Sequence, residues 1–412
     1  MSAIVPLQAL RPRPQFVGDV AALPYDVLST KEAQEIARTH PRSFLRVEKS
    51  ESDLPPDIPA HDPRIYDRAH ANLEELMQEG ILFQDQLPSF YIYAQGMSGH
   101  KQYGLVAGIS VAEYETGKIK KHELTRADKE LDRIRHVDRV NAHTGPVFVT
   151  YRARPTIDSL VAEAIKAPPE YDFVTEDGFS HTVWVINKED EIIALIKEFA
   201  QLDRLYIADG HHRAAAAAAV ARQRRGQHPA CPSGEYENIL AVLFPDRQLK
   251  IMDYNRAVQD LAGLSRREFL QKCEGSFSVT PDFHEKAPQH KHEFGMYLDG
   301  RWYRLAAHAD LIDEHNYIGS LDVSILQERL LGPVLGINDP RRDERVAFVG
   351  GIRGMGELER LVDEGKFAVA FALYPVTVAQ LMAVADADGI MPPKSTWFEP
   401  KLRSGIFIHL LE

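Results

Sequence analysis

Apolar residues along this chain change period repeatedly, and the changes mark out its elements. Runs rich in β-branched and aromatic residues fall at 90–95, 103–114, 146–152, 181–187, 204–208, 239–244 and 250–254, and read as strands. The first two are split by Gly96-Met97-Ser98-Gly99, a hairpin signature. Helical spacing occupies 30–39, 64–80 and 189–200, with Thr30 as a candidate N-cap and Pro41 barring extension of the first helix. Residues 51–63, rich in proline and acids, read as a surface loop. After about 255 the rhythm starts afresh, with a helix at 264–273 and a strand pair around 294–306 turning at Asp299-Gly300. A helix at 321–331, a strand at 345–349, a helix at 355–364 and a strand at 367–374 follow. The pattern predicts an α+β fold with mixed β-sheets and packed helices, divided into residues 1–254 and 255–412.

The densest chemistry lies at Tyr206-Ile207-Ala208-Asp209-Gly210-His211-His212-Arg213, followed by alanines 214–219. An apolar strand, a glycine turn and a strongly helical run succeed one another there. Helix amides and the positive end of the helix dipole would gather beside two imidazoles and a guanidinium, which suits phosphate. Asp209 is placed to hold Mg²⁺ or orient a histidine. A second charged stretch runs from Lys120 to Arg139. Most of it reads as a solvated helix laced with weak ion pairs. His122-Glu123, near a strand end, differs: a carboxylate beside a phosphate site serves as general base or metal ligand. A third segment, Met391-Pro392-Pro393-Lys394-Ser395-Thr396-Trp397-Phe398-Glu399-Pro400-Lys401, combines two lysines and two hydroxyls with aromatics. Lys394, Ser395 and Lys401 suit phosphate, and Trp397 suits a pocket wall. Tyr25 and Asp26 lie in the turn Pro24-Tyr25-Asp26-Val27. Residues 172–181 could turn His181 and several acids toward a metal.

Composition narrows the partners. The 412 residues are 44% hydrophobic and 26% charged, ordinary for a globular protein, with a formal net charge of −12. That acidity argues against a general nucleic-acid surface. Cys231 and Cys273 are too few for a disulfide framework or a cysteine zinc site. With no charged-then-apolar leader and no bilayer-length apolar run, a cytoplasmic location off the membrane is expected.

Several islands in order resemble one family over most of the chain: Pro24-Tyr25-Asp26-Val27, His122-Glu123, the turn at 141–146, His181 with Trp184, residues 208–213, Leu321-Asp322-Val323-Ser324, and 393–401. This is the bacterial and archaeal family called domain of unknown function 1015. The corner at 209–213 also resembles the phosphate-binding corner of the ParB/sulfiredoxin superfamily, whose members bind CTP, ATP or ADP and include free-serine kinases. That resemblance implies Glu123 as base on a serine hydroxyl and Gly210, His211, His212 and Arg213 as holders of the transferring phosphate. It gives Asp209 a role in binding Mg²⁺, and Tyr25, Asp26, His122 and Trp397 become candidate substrate contacts. The implied activity is phosphoryl transfer to a small hydroxylated metabolite, serine or phosphoserine first, from a nucleotide or pyrophosphate donor. Two alternatives stand beside it: a nucleotide-binding switch without turnover, and a metal-dependent hydrolase or phosphatase using Asp209, His211 or His212 and Glu123. A small phosphate ligand is the expected partner, and a homo-oligomer is compatible with the sequence.

Overall fold

The computed structural model describes residues 4–55, 57–227 and 234–412. Cys231 lies outside the described residues, and Cys273 is a buried free thiol. The chain divides into two compact units, the first made of residues 1–249 and 400–412, the second of residues 250–399. The sequence expectation gave everything after 255 to one part. The stretch 400–412 instead belongs to the first unit, because its backbone is bonded there. Ile408 pairs with Leu10, Ser404 with Ala22, and His409–Leu410 with Ala142–His143.

The first unit is built on a nine-stranded sheet. Its strands are β1 (Ile4–Val5), β2 (Phe90–Met97), β3 (His100–Ser110), β4 (Ile119–Lys120), β5 (Val147–Tyr151), β6 (Tyr171–Val174), β7 (Ser180–Ile186), β8 (Leu205–Asp209) and β9 (Asn238–Pro245). The order is β4-β8-β5-β9-β3-β2-β7-β6, with β1 beside β3. Parallel pairs (β4 with β8, β5 with β9) sit among antiparallel ones, so the sheet is mixed as expected. The β2–β3 hairpin turns at Ser98 and Gly99, both at positive φ, the geometry a tight hairpin needs.

Seven helices of this unit matter for the site: α1 (Thr30–Thr39), α2 (Leu45–Glu48), α3 (Pro63–Gln78), α4 (Ala127–Val140), α5 (Pro155–Ala164), α6 (Glu189–Phe199) and α7 (His211–Gln227). Ser29, not Thr30, caps α1 through a capping box with Glu32. The run at 103–114 is not one strand: Ser110 ends β3 and caps a short helix, Val111–Glu115. The alanines of α7 explain themselves in the packing. Ala214, Ala216, Ala217 and Ala218 are essentially unexposed, and the helix lies against α4 on one side and β5 and β9 on the other. Side chains of one carbon let it approach both. A core of Ile92, Val149, Ile207, Leu243 and Phe199 fills the sheet's helical face. A separate core of Phe44, Leu45, Val47, Leu73 and Ile408 joins α1, α2 and α3.

The second unit carries a six-stranded antiparallel sheet. Its strands are β10 (Tyr254–Val258), β11 (Phe277–Pro281), β12 (Glu293–Leu298), β13 (Arg301–Ala307), β14 (Val346–Gly350) and β15 (Val369–Leu373), in the order β11-β13-β12-β15-β10-β14. Helices α8 (Arg266–Cys273), α9 (Gly354–Asp363) and α10 (Val378–Asp386) accompany it. Asp299 and Gly300, both at positive φ, make the expected turn between β12 and β13. The expected helix at 321–331 is Asp322–Leu326 running into a π-helical turn, Gln327–Leu331.

Candidate functional site

The corner at the end of β8 is where the first unit concentrates charge. The β8–β5 ladder shifts register between Ile207 and Asp209, a bulge that re-aims the strand end. Gly210 follows at φ +89°, a backbone state that a side chain would strain, and α7 begins with His211. Asp209 spends both oxygens locally: Oδ1 accepts the Gly210 amide at 2.8 Å, and Oδ2 pairs with Lys401 Nζ at 2.7 Å. Burial pushes the Asp209 carboxyl up, but the charge and hydrogen bond of Lys401, with Arg213, overcome it and hold the group well below the usual carboxylate range. The expected magnesium ligand is therefore the counter-ion of a lysine. Lys401 is itself fixed, its carbonyl accepting from Gln95 Nε2 at 2.9 Å.

Arg213 reaches from the first turn of α7 to the Pro146 carbonyl at 3.0 Å, and its guanidinium stands 5.6 Å from the Tyr25 ring. Arg133 covers the same ring at 4.1 Å. Burial pushes the Tyr25 hydroxyl up to about 12, against the opposing pull of Arg133, so Tyr25 is a neutral donor. Arg213 and Asp209 border a solvent-open depression of about 280 Å³ lined also by Pro24, Asp26, Pro146, Phe148, Gly210, Lys401 and Leu402. Four separated stretches of sequence thus meet in one wall.

Behind it lies a second cavity of about 360 Å³, with Arg213 in both linings. Glu48, from α2, faces it with Arg133, His136 and His143. Its Oε2 is 3.4 Å from Arg133 Nη1, while Oε1 is buried without a hydrogen bond. Burial raises the Glu48 carboxyl, but the charges of Arg213, His136 and Arg133 and a Thr144 hydrogen bond hold it low. Sequence reasoning missed Glu48. The signal was present in Phe44-Leu45-Arg46-Val47-Glu48, where the helical spacing that buries Phe44 and Leu45 also turns position 48 inward. The stretch 120–139 was likewise read as a mostly solvated helix, yet Arg133, His136, Val137 and Val140 of α4 are buried.

The two histidines of the corner do not line the depression. They turn toward residues 121–126 instead. His212 Nε2 accepts the Arg126 amide at 3.1 Å, which leaves the proton on Nδ1. His211 is buried, with Nε2 3.5 Å from the His122 amide and Nδ1 3.8 Å from Glu123 Oε2. The His122 and His211 rings meet edge to face at 4.5 Å. Glu123, expected as the base at the phosphate, is likewise absent from the depression's lining; Asp26, expected as a substrate contact, is in it.

The proline-flanked segment is divided between units. Lys401 lines the depression, whereas Lys394, Ser395 and Trp397 belong to the second unit. There Ser395 Oγ donates to the Pro392 carbonyl at 2.6 Å, Trp397 Nε1 donates to Glu399 at 2.9 Å, and Lys394 Nζ stands 5.9 Å from the Tyr254 ring. Nor does His181 face a metal. Its ring nitrogens meet Tyr93 Oη at 2.8 Å and Thr175 Oγ1 at 3.2 Å, between the Tyr93 and Phe173 rings.

These buried imidazoles make a testable liability. Burial lowers His122 to about 4 and His181 to about 3, and pushes His143 and His211 well below the ordinary range. Each binds its proton more weakly folded than unfolded. Its stabilising contribution is full above about pH 6.5 and drains as pH falls, toward 4 for His122 and toward 3 for His181. One such group tilts stability by at most about 1.4 kcal/mol per pH unit. Urea midpoints are expected to drop steeply below about pH 6; a flat profile down to about pH 4.5 would show that these rings take up protons in place.

The description that matches this chain is "protein of unknown function (DUF1015)", over residues 4–324. No curated protein matches it. Among solved structures, a conserved hypothetical protein from Pyrococcus furiosus aligns at 14% identity and a TM-score of 0.37, covering 74% of this chain and 95% of that one. A free serine kinase in complex with AMP aligns at 13% identity and TM-score 0.37, covering 73% and 91%. SbnI with C-terminal truncation, from Staphylococcus aureus, aligns at 12% and 0.39, covering 74% and 87%. At these scores the likeness carries no argument about activity, which has to come from the residues of the site.

Proposed function

The chain belongs to the DUF1015 family of proteins of unknown function, and from that premise we propose that its first unit transfers a phosphoryl group to or from a small hydroxylated metabolite. The observation that carries this reading is the meeting of Arg213, Lys401 and the glycine-opened start of α7 around one depression. Phosphoryl transfer asks a protein mainly for positioning and for stabilisation of spread negative charge. A guanidinium gives a fork of donors, a lysine gives a movable point charge, and the helix start gives amides and a dipole. Asp209 holds the lysine and the turn in place. Asp26, in the wall, is the carboxylate we assign as general base on the acceptor hydroxyl. The corner's likeness to the ParB/sulfiredoxin type supports serine or phosphoserine as the first acceptor to assay and a nucleotide or pyrophosphate as the donor. Mg²⁺, if used, would arrive with the donor's phosphate chain, since it keeps several waters and needs few protein ligands.

The test is phosphoserine formation from serine, with ATP (releasing ADP) or pyrophosphate (releasing phosphate) as donor, on the full chain and on Asp26→Asn. The variant is expected to keep phosphate binding and lose roughly 10²–10⁴-fold in turnover. Full-rate turnover by Asp26→Asn would remove the assigned base, and no turnover by the unaltered protein with any phosphate donor would remove the reading.

A further inference from the structure

We propose that His122, Glu123 and His211 form a binding site for one divalent transition-metal ion, separate from any magnesium carried by a nucleotide. One ligand atom from each of the three lies within 4.8 Å of the others. His211 Nδ1 and Glu123 Oε2 are already 3.8 Å apart, against roughly 3.3 Å between neighbouring ligands on a tetrahedral zinc. Glu123 is half exposed, while both imidazoles are held in the interior.

The independent sign is His122. Its ring is 2% exposed, and neither nitrogen makes a hydrogen bond of normal geometry. The Ile207 backbone offers the ring a hydrogen bond of poor geometry. Buried polar groups are nearly always satisfied, and one that is not calls for a partner. A cation meets that need. The donor set, two neutral imidazoles and one carboxylate, selects zinc, manganese, iron or cobalt over magnesium, which prefers an all-oxygen shell. Ligation through His211 Nδ1 moves that ring's proton to Nε2. The only contact this opens is the long one, 3.5 Å, to the His122 amide. Asp209 interacts electrostatically with both rings and would add to the field holding the ion. The inference stands on these ligand atoms and does not depend on the phosphoryl-transfer reading.

Cobalt is the probe, because its visible absorption reports nitrogen and oxygen ligation directly. The full chain is stripped with a chelator, dialysed and titrated with Co²⁺, with Zn²⁺ and Mn²⁺ competing. We expect one saturable site per chain, whose affinity falls by more than about tenfold in Glu123→Gln, since even outer-shell partners cost that much. Glu123 is exposed, so this variant folds; His122→Gln, checked for folding by circular dichroism, is the second arm. Absence of saturable binding, or binding that both variants retain, overturns the proposal. Inorganic phosphate titrated into the stripped protein reads the Arg213–Lys401 depression separately, so either idea can fail alone.

Discussion

Arg213→Ala is expected to abolish measurable phosphate binding and to lower phosphoryl transfer by about 10²–10³-fold, the loss that follows removal of one preorganised donor to developing negative charge. The expectation comes from how the guanidinium is held. It is anchored on the Pro146 carbonyl, backed by the Tyr25 ring, and present in the walls of both cavities. Burial works against its charge, but Glu48, Asp26, Tyr25 and Asp209 all favour it, so it stays protonated at any working pH. Arg213→Lys would keep the charge and lose the fork, and is expected to rescue little. Titration calorimetry with inorganic phosphate, paired with a urea melt, checks this. Equal phosphate affinity in a folded Arg213→Ala protein would move the anion site elsewhere.

Glu48→Gln is the second large effect, and it falls on stability. The Glu48 side chain is 2% exposed and answers the positive charge of Arg133 and Arg213 on either side of it. An amide of the same volume leaves the packing and removes only the charge. Breaking a buried pair from one side costs about 3–5 kcal/mol, here a fall of roughly 10 °C in the unfolding midpoint. Because the Glu48 carboxyl is held low when folded, its contribution is present above the ordinary glutamate pKa and is lost as pH falls through the lower, folded value. The variant should therefore equal the parent in strong acid and diverge from it toward neutrality. Equal midpoints near neutral pH would mean that Arg133 is satisfied by Asp132 alone.

Much of this architecture was legible in the chain. The β2–β3 hairpin, the strand into Asp209 and the alanine helix after it follow from period, turn residues and propensity, all local properties. The strand–glycine–helix turn at 209–213 was legible for the same reason, since a helix start is made by adjacent residues. What the sequence did not disclose is partnership across distance. Asp209 looked like a metal ligand until Lys401, far along the chain, took its second oxygen. Glu123 looked like the base because it is a carboxylate near a strand end, yet Asp26 is the one in the wall. His211 and His212, neighbours in a motif, hydrogen-bond to backbone amides of a different loop. Burial of one face of α4 was hidden by its charges: Arg133 is a long amphipathic side chain whose stem packs while its head pairs with Asp132 and Glu48.

The return of residues 400–412 to the first unit has a consequence for biosynthesis. Nearly the whole of that unit leaves the ribosome early, followed by all of residues 250–399, and only then does Lys401 emerge. Domains tend to fold as units from the N-terminal end during synthesis. The nascent first unit must therefore wait, with β2 lacking the Gln95 contact to Lys401 and Asp209 lacking its cation, while an entire second unit is translated and folds. The Asp209 turn gains its cation only after residues 250–399 have been made, so a chain that stops before residue 400 carries an Asp209 with no lysine to answer it.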